Sequence, residues 1–119
     1  MSDVINLKVA LDSFEELWSP RIVTSINDHH VKACKVRGGF PRHQHTDTDE
    51  FFLVVDGKFT LRLDDGEVTL GPGEVYVVPR GVYHEPYAEH EASILVIETA
   101  GTFNTGDADD GRASSGIPL

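Results

Sequence analysis

Three turn signals cut the middle of this chain into apolar runs that are too short for helices. Asp56-Gly57 and Asp64-Asp65-Gly66 are hairpin turns, and Gly71-Pro72-Gly73 is a corner. The runs between them, residues 50–55, 58–63, 67–70 and 74–78, fall below the ~10–12 residues of a helix and have strand length. Upstream, 21–27 and 31–37 read as two strands joined by a polar turn at 28–30, and 92–99 is the last apolar run. Alternation gives these strands an apolar inner face: Phe52 and Val54 share a side with Glu50, and Phe59, Leu61 and Leu63 form a second such side. Short strands at close spacing with Gly/Pro corners predict an all-β sandwich or barrel.

The N-terminus departs from this pattern. Residues 4–9 read as an arm or short strand, and a short helix is predicted over 13–17. Asp12 or Ser13 would cap it, Ser13-x-x-Glu16 has the form of a capping box, and Pro20 ends it. Phe14, Leu17 and Trp18 would share one helix face, read as core packing or a dimer contact and not as a ligand site. The chain thus divides into an arm and helix (1–20), a barrel (21–103) and a tail (104–119). Gly, Ser, Asp and Thr dominate the tail, which reads as a flexible segment or one docked on its own barrel or a partner.

A length of 119 residues suits one domain with one core. The formal net charge of −10 argues against nucleic acid or an anionic membrane as partner, since both would repel the chain. No apolar stretch approaches the ~20 residues needed to span a bilayer, and no signal-peptide pattern opens the sequence. The lone cysteine, Cys34, cannot form an intrachain disulfide and fits a reducing cytoplasm. Its setting reads as a strand, where a free thiol behaves as a small buried hydrophobe.

The histidines carry the chemistry. His43 and His45, two residues apart in an extended segment, point to one face, with Glu50 shortly after and His84 beyond the next corner. Three imidazoles and a carboxylate make a nitrogen-rich, sulfur-free ligand set for one divalent transition metal: Mn, Fe, Ni, Co or Zn. An octahedral ion held this way keeps two open positions, whereas a tetrahedral Zn²⁺ would be closed unless Glu50 moved or the ion became five-coordinate. His29 and His30 in a turn-like cluster, and His90 between two glutamates, read as solvent-exposed and neutral to function. Asp47, Asp49 and Glu85 compete as carboxylates but read as a solvated edge. No second catalytic group stands out. Tyr83, Glu85 and Arg42 are out of phase with the inward histidines, and Tyr76 is a weak candidate that fits better as a core aromatic.

These residues sit in two runs that resemble the two motifs of the cupin superfamily. His43, His45, Glu50 and Gly57 match the first, with its leading Gly (Gly38 or Gly39) one residue out of register; Gly73, Pro79, Gly81 and His84 match the second, whose final Asn is replaced by Ala88. The resemblance spans about 31–99 and implies a double-stranded β-helix, or jelly roll, with metal held by His43, His45, Glu50 and His84. Trp18-Ser-Pro20, Asp49-Glu50-Phe51-Phe52 and Gly101–Asp107 narrow it to small single-domain cupins of the mannose-6-phosphate-isomerase-like subgroup. The expectation is a homodimer that acts on a small metabolite as an isomerase or dioxygenase; the alternative is a non-catalytic, metal-dependent ligand-binding or sensor module. The apolar inner face argues against a bulky sugar phosphate.

Overall fold

The hairpin chemistry read from the sequence organises the computed structural model, which describes residues 3–119; residues 1–2 of the expected N-terminal arm lie outside them. The strands are β1 (Arg21–Ile26), β2 (His29–Gly39), β3 (Glu50–Asp56), β4 (Phe59–Leu63), β5 (Gly66–Leu70), β6 (Val75–Val78), β7 (His84–Thr99) and β8 (Ile117–Pro118). They form one all-β jelly roll whose main path runs β5-β4-β7-β2-β1-β8, with β3 pairing β6 and β7. The long β7 is the hinge of the fold. Its first part pairs with β4, its second part with β3, and it lies antiparallel to β2 along most of its length. Exposed Glu89, His90 and Glu91 mark the passage between the two halves.

Gly57 shows why the first turn needs glycine. Its φ is +84°, and a Cβ there would stand 2.9 Å from Ala92 Cβ, so any side chain would push β7 off the β3–β4 hairpin.

Two faces of β2 serve two layers. Cys34 and Val36 face inward to the main core with Phe52, Val54, Phe59, Leu61, Ile94 and Val96. Ala33 faces the other way and is covered by Leu11 and Phe14. Cys34 is buried and unpaired, and burial pushes its thiol up to about 12, consistent with a small hydrophobe in a strand.

The helix lies earlier than expected. α1 spans Leu7–Asp12, not 13–17, because Asn6 rather than Asp12 or Ser13 is its N-cap, accepting from Val9 N at 3.0 Å. Ser13 instead ends it, donating its Oγ to Ala10 O at 2.6 Å. Glu16 closes no capping box; it pairs with Arg21 at 2.9 Å. The expected Phe14/Leu17/Trp18 face therefore dissolves. Phe14 packs under β2, Leu17 is largely exposed, and Trp18 turns inward at a φ of +55°.

The polar tail packs against the barrel. Asn104 Nδ2 donates to Trp18 O, Arg112 stacks its guanidinium 4.7 Å from the Phe40 ring centroid, and β8 pairs in parallel with β1. Thr105 is fully buried. No helix among the described residues is long and apolar enough to cross a membrane.

Candidate metal centre

Backbone pairing builds the site. His43 and His84 exchange both main-chain hydrogen bonds, His43 N to His84 O at 3.0 Å and His84 N to His43 O at 2.9 Å. As cross-strand neighbours they bring their rings to 4.4 Å between centroids. Gly81 N donates to His45 O at 2.7 Å, tying the second run to the first. Glu50 opens β3 with its side chain inward. His43, His45, Glu50 and His84 are all buried, and each offers a ligand atom within 4.8 Å of the others. Glu50 Oε1 lies 3.1 Å from His45 Nε2 and 3.2 Å from His84 Nε2. The four sequence candidates thus converge on one point.

The donor set fits a cation. His43 Nδ1 lies 2.6 Å from Pro41 O and His84 Nδ1 lies 3.0 Å from Val82 O. A carbonyl can only accept, so both Nδ1 atoms carry a proton and Nε2 is the atom each ring turns towards the cluster; this is the outer-shell arrangement that orients ligating imidazoles. Burial, with the neighbouring His84, pushes His43 down to about 4, which keeps its ring neutral and ready to donate. Burial alone would raise the Glu50 carboxyl, but the His45 and His84 rings outweigh it and hold it well below the usual carboxylate range. Three neutral imidazoles and one carboxylate would leave a bound divalent ion with a net charge near +1.

The other candidates stand apart. Asp49 accepts from Arg80 N, Glu85 pairs with Arg62, and Asp47 is exposed. His90 is exposed as expected, but His29 and His30 are only half-exposed, because β2 begins at His29 and draws both into its pairing with β1. Tyr76 stands opposite Phe52 and packs on the main core, outside the lining of the cavity that reaches the metal cluster.

That narrow cavity, about 50 Å³ in volume, runs from His43 and Glu50 into the barrel. Its walls include Trp18, Phe40, Phe52, Phe59, Ile94 and Val96. Val54, Leu61 and Leu63, which share the expected apolar faces, do not line it; Val54 and Leu61 pack in the main core. Two charged residues that sequence reasoning missed also line it. Lys32 Nζ donates to Glu98 Oε1 at 3.0 Å, and both side chains are at most 2% exposed. Lys32 also donates to Thr102 O at 3.0 Å. Burial and the nearby Glu50 push the Glu98 carboxyl up to about 9, against the pull of Lys32. The signal was alternation: Lys32 is in phase with inward Cys34 and Val36, and Glu98 with inward Ile94 and Val96.

The tail braces the ligands from outside. Asp107 accepts from Gln44 N at 3.0 Å and from Tyr83 Oη at 2.8 Å. Gly106, at φ +55°, lies so close that a Cβ would meet Gln44 O and stand 2.8 Å from His43 Cδ2. Gly106→Ala is therefore expected to cost about 1–3 kcal/mol through left-handed backbone strain and displacement of the tail. Urea unfolding of metal-free protein checks it; an unchanged midpoint would mean that the tail does not brace this segment.

A family model described as a cupin domain matches residues 33–98. The chain belongs to the cupin family. A cupin-2 domain protein from Shewanella frigidimarina, solved by crystallography, superposes with a TM-score of 0.80 at 43% identity, covering 81% of this chain and 94% of that one. An uncharacterised Bacillus subtilis protein, YdbB, is 28% identical over 71% of this cupin and 75% of its own length. A 3-hydroxyanthranilate 3,4-dioxygenase from Jannaschia is 30% identical over 87% of this cupin, which spans only 62% of that enzyme. The mannose-6-phosphate-isomerase-like assignment finds no confirmation among these relatives.

Proposed function

We propose that this cupin is a divalent-metal enzyme of oxygenase type, acting on a small, largely apolar metabolite. His43, His45, Glu50 and His84 would hold the ion, which when bound supplies Lewis-acid activation and, if redox-active, a route for electrons to dioxygen. The observation that carries the reading is the cavity: an aromatic and aliphatic chamber opens directly onto His43 and Glu50, so a ligand there lies against the metal in a dry site. Similarity to a dioxygenase whose substrate is a hydroxylated aromatic acid supports the same class. The apolar walls weigh against the isomerase reading, since a sugar phosphate would leave its charge and most hydroxyls unmatched there. Within the chamber, Trp18, Phe40, Phe52 and Phe59 would line the apolar faces of the substrate and exclude water from it.

The test is oxygen consumption by Fe²⁺-loaded protein with catechol and 3-hydroxyanthranilate as probes. Uptake with Fe²⁺ and none with Zn²⁺ is expected. No uptake with either probe, together with tight retention of a ligand, would favour the non-catalytic binding module. We further propose a cytoplasmic homodimer. Edge strand β6, which among the described residues pairs only with β3, leaves Val75 and Val77 about half exposed, and a monomeric mass by light scattering at micromolar concentration would remove that proposal.

A further inference from the structure

Glu98 Oε2 is buried without a hydrogen-bond partner among the described residues, although its other oxygen is held by Lys32. A buried, unmatched carboxyl oxygen costs on the order of 1–3 kcal/mol or more, so a hydroxyl partner that reaches it, from water or from a ligand, is favoured. The position points the same way. Glu98 and Lys32 both line the metal cavity, and Glu98 follows Ile97, which pairs with Phe51, so Glu98 and Glu50 share the inward face of neighbouring strands. Beyond this pair and the metal ligands, Asn104 is the other polar side chain in the lining, and its amide already donates to Trp18 O and Arg112 O.

We infer that the Lys32–Glu98 pair reads a hydroxyl group on the ring of the bound substrate, with Glu98 Oε2 as its partner and Lys32 fixing the carboxyl in place. A hydroxyl both donates and accepts, so it satisfies Oε2 whichever of the two carries the proton. A second anion is disfavoured, because Glu50 and Glu98 already face the same space. A charge-neutral phenolic hydroxyl is the group that fits, and a site built to pair with it discriminates against an analogue lacking it. Lys32 and Glu98 are thus specificity residues. The inference rests on the small-ligand reading of the cavity, but not on oxygen chemistry.

The experiment compares phenol with toluene, which have the same shape and differ by hydroxyl against methyl, in the Zn²⁺-loaded protein. The reporter is the emission of Trp18, the chain's single tryptophan, which lines the cavity. A purely apolar chamber would prefer toluene, so tighter binding of phenol by the unaltered protein is the expected result. In Lys32→Met/Glu98→Leu, the phenol-over-toluene affinity ratio is expected to fall at least tenfold, with zinc content unchanged. Toluene preferred by the unaltered protein, a ratio unchanged in the variant, or no Trp18 response to either compound at millimolar concentration would each overturn the inference. The comparison on unaltered protein stands even if the double variant does not fold. Phenol selectivity without oxygen uptake by the Fe²⁺ form would overturn the oxygenase reading and leave this inference intact.

Discussion

Lys32→Met alone is expected to destabilise the domain by about 3 kcal/mol, and adding Glu98→Leu is expected to restore most of that loss. The two side chains form a 3.0 Å hydrogen-bonded pair with almost no solvent exposure. Both groups gave up hydration to get there, and the hydrogen bond from the ammonium to the carboxyl roughly offsets that loss. Removing only Lys32 strands Glu98 close to Glu50 and leaves Thr102 O without its ammonium donor. Breaking a buried pair typically costs 3–5 kcal/mol; the lower end applies here because the Glu98 carboxyl, pushed up to about 9, already holds a proton at neutral pH and leaves no bare charge behind. Replacing both partners with apolar side chains of similar volume removes the desolvation cost together with the attraction.

The pair also sets a pH slope in the metal-free protein. Folded Glu98, raised to about 9, holds a proton that the unfolded chain releases above its ordinary value of 4.5. The associated stability is complete below pH 4.5 and declines as pH rises towards 9. Urea unfolding at pH 5 and pH 8 should show the unaltered protein losing stability relative to the double variant across that interval. A single variant as stable as the double one, or a double variant worse than the single, would contradict this account of the pair.

The strands could be read because their signals are local. A hairpin needs only Asp-Gly at its turn and alternation on either side, and β3, β4 and β5 each begin or end within a residue of such a signal. The metal ligands were legible for a related reason: His43 and His45 declare their common face by their own spacing. The helix was misplaced because Asn6 and Ser13 are both acceptable caps, and the choice fell to packing of Leu11 and Phe14 on Ala33 of β2. The first half of β7 was missed because His84–Glu91 is polar with a proline inside. Tertiary pairing with β4 and β2 makes it a strand, and Pro86 accepts from Phe40 N through its carbonyl, which needs no donor of its own. Lys32 and Glu98 lie far apart in sequence, and only the β2–β7 register brings them together. Each alone looks like an ordinary charged residue in a strand. Trp18 reads as helical core until Pro20 and the early end of α1 leave it in a left-handed turn facing the cavity.

His84→Ala is expected to lower affinity for Zn²⁺ or Co²⁺ by well over 100-fold, because loss of an outer-shell partner alone typically costs 10–100-fold and this change removes a ligand itself. Unfolding with and without metal makes the loss visible. A ligand present at 100 times its Kd stabilises the folded state by about 2.7 kcal/mol, which for a domain of this size raises Tm by on the order of 10 °C. That rise should be present in the unaltered protein and absent in His84→Ala at the same metal concentration. His84 is fully buried, so the variant also leaves a hole, and its metal-free form should be less stable than metal-free unaltered protein. The two losses are separable: the hole acts with or without metal, and the missing ligand acts only with it. Glu50→Gln sharpens the comparison. It keeps the size and most of the hydrogen bonding but removes the only negative charge among the four converging groups, so it should weaken metal binding at least tenfold with little change in the metal-free protein. A metal-induced rise that survives both changes would place the ion elsewhere. If it disappears in both, the cluster is the site, and a ligand-induced change in the spectrum of the Co²⁺ form would then show whether the ion keeps an open position for substrate.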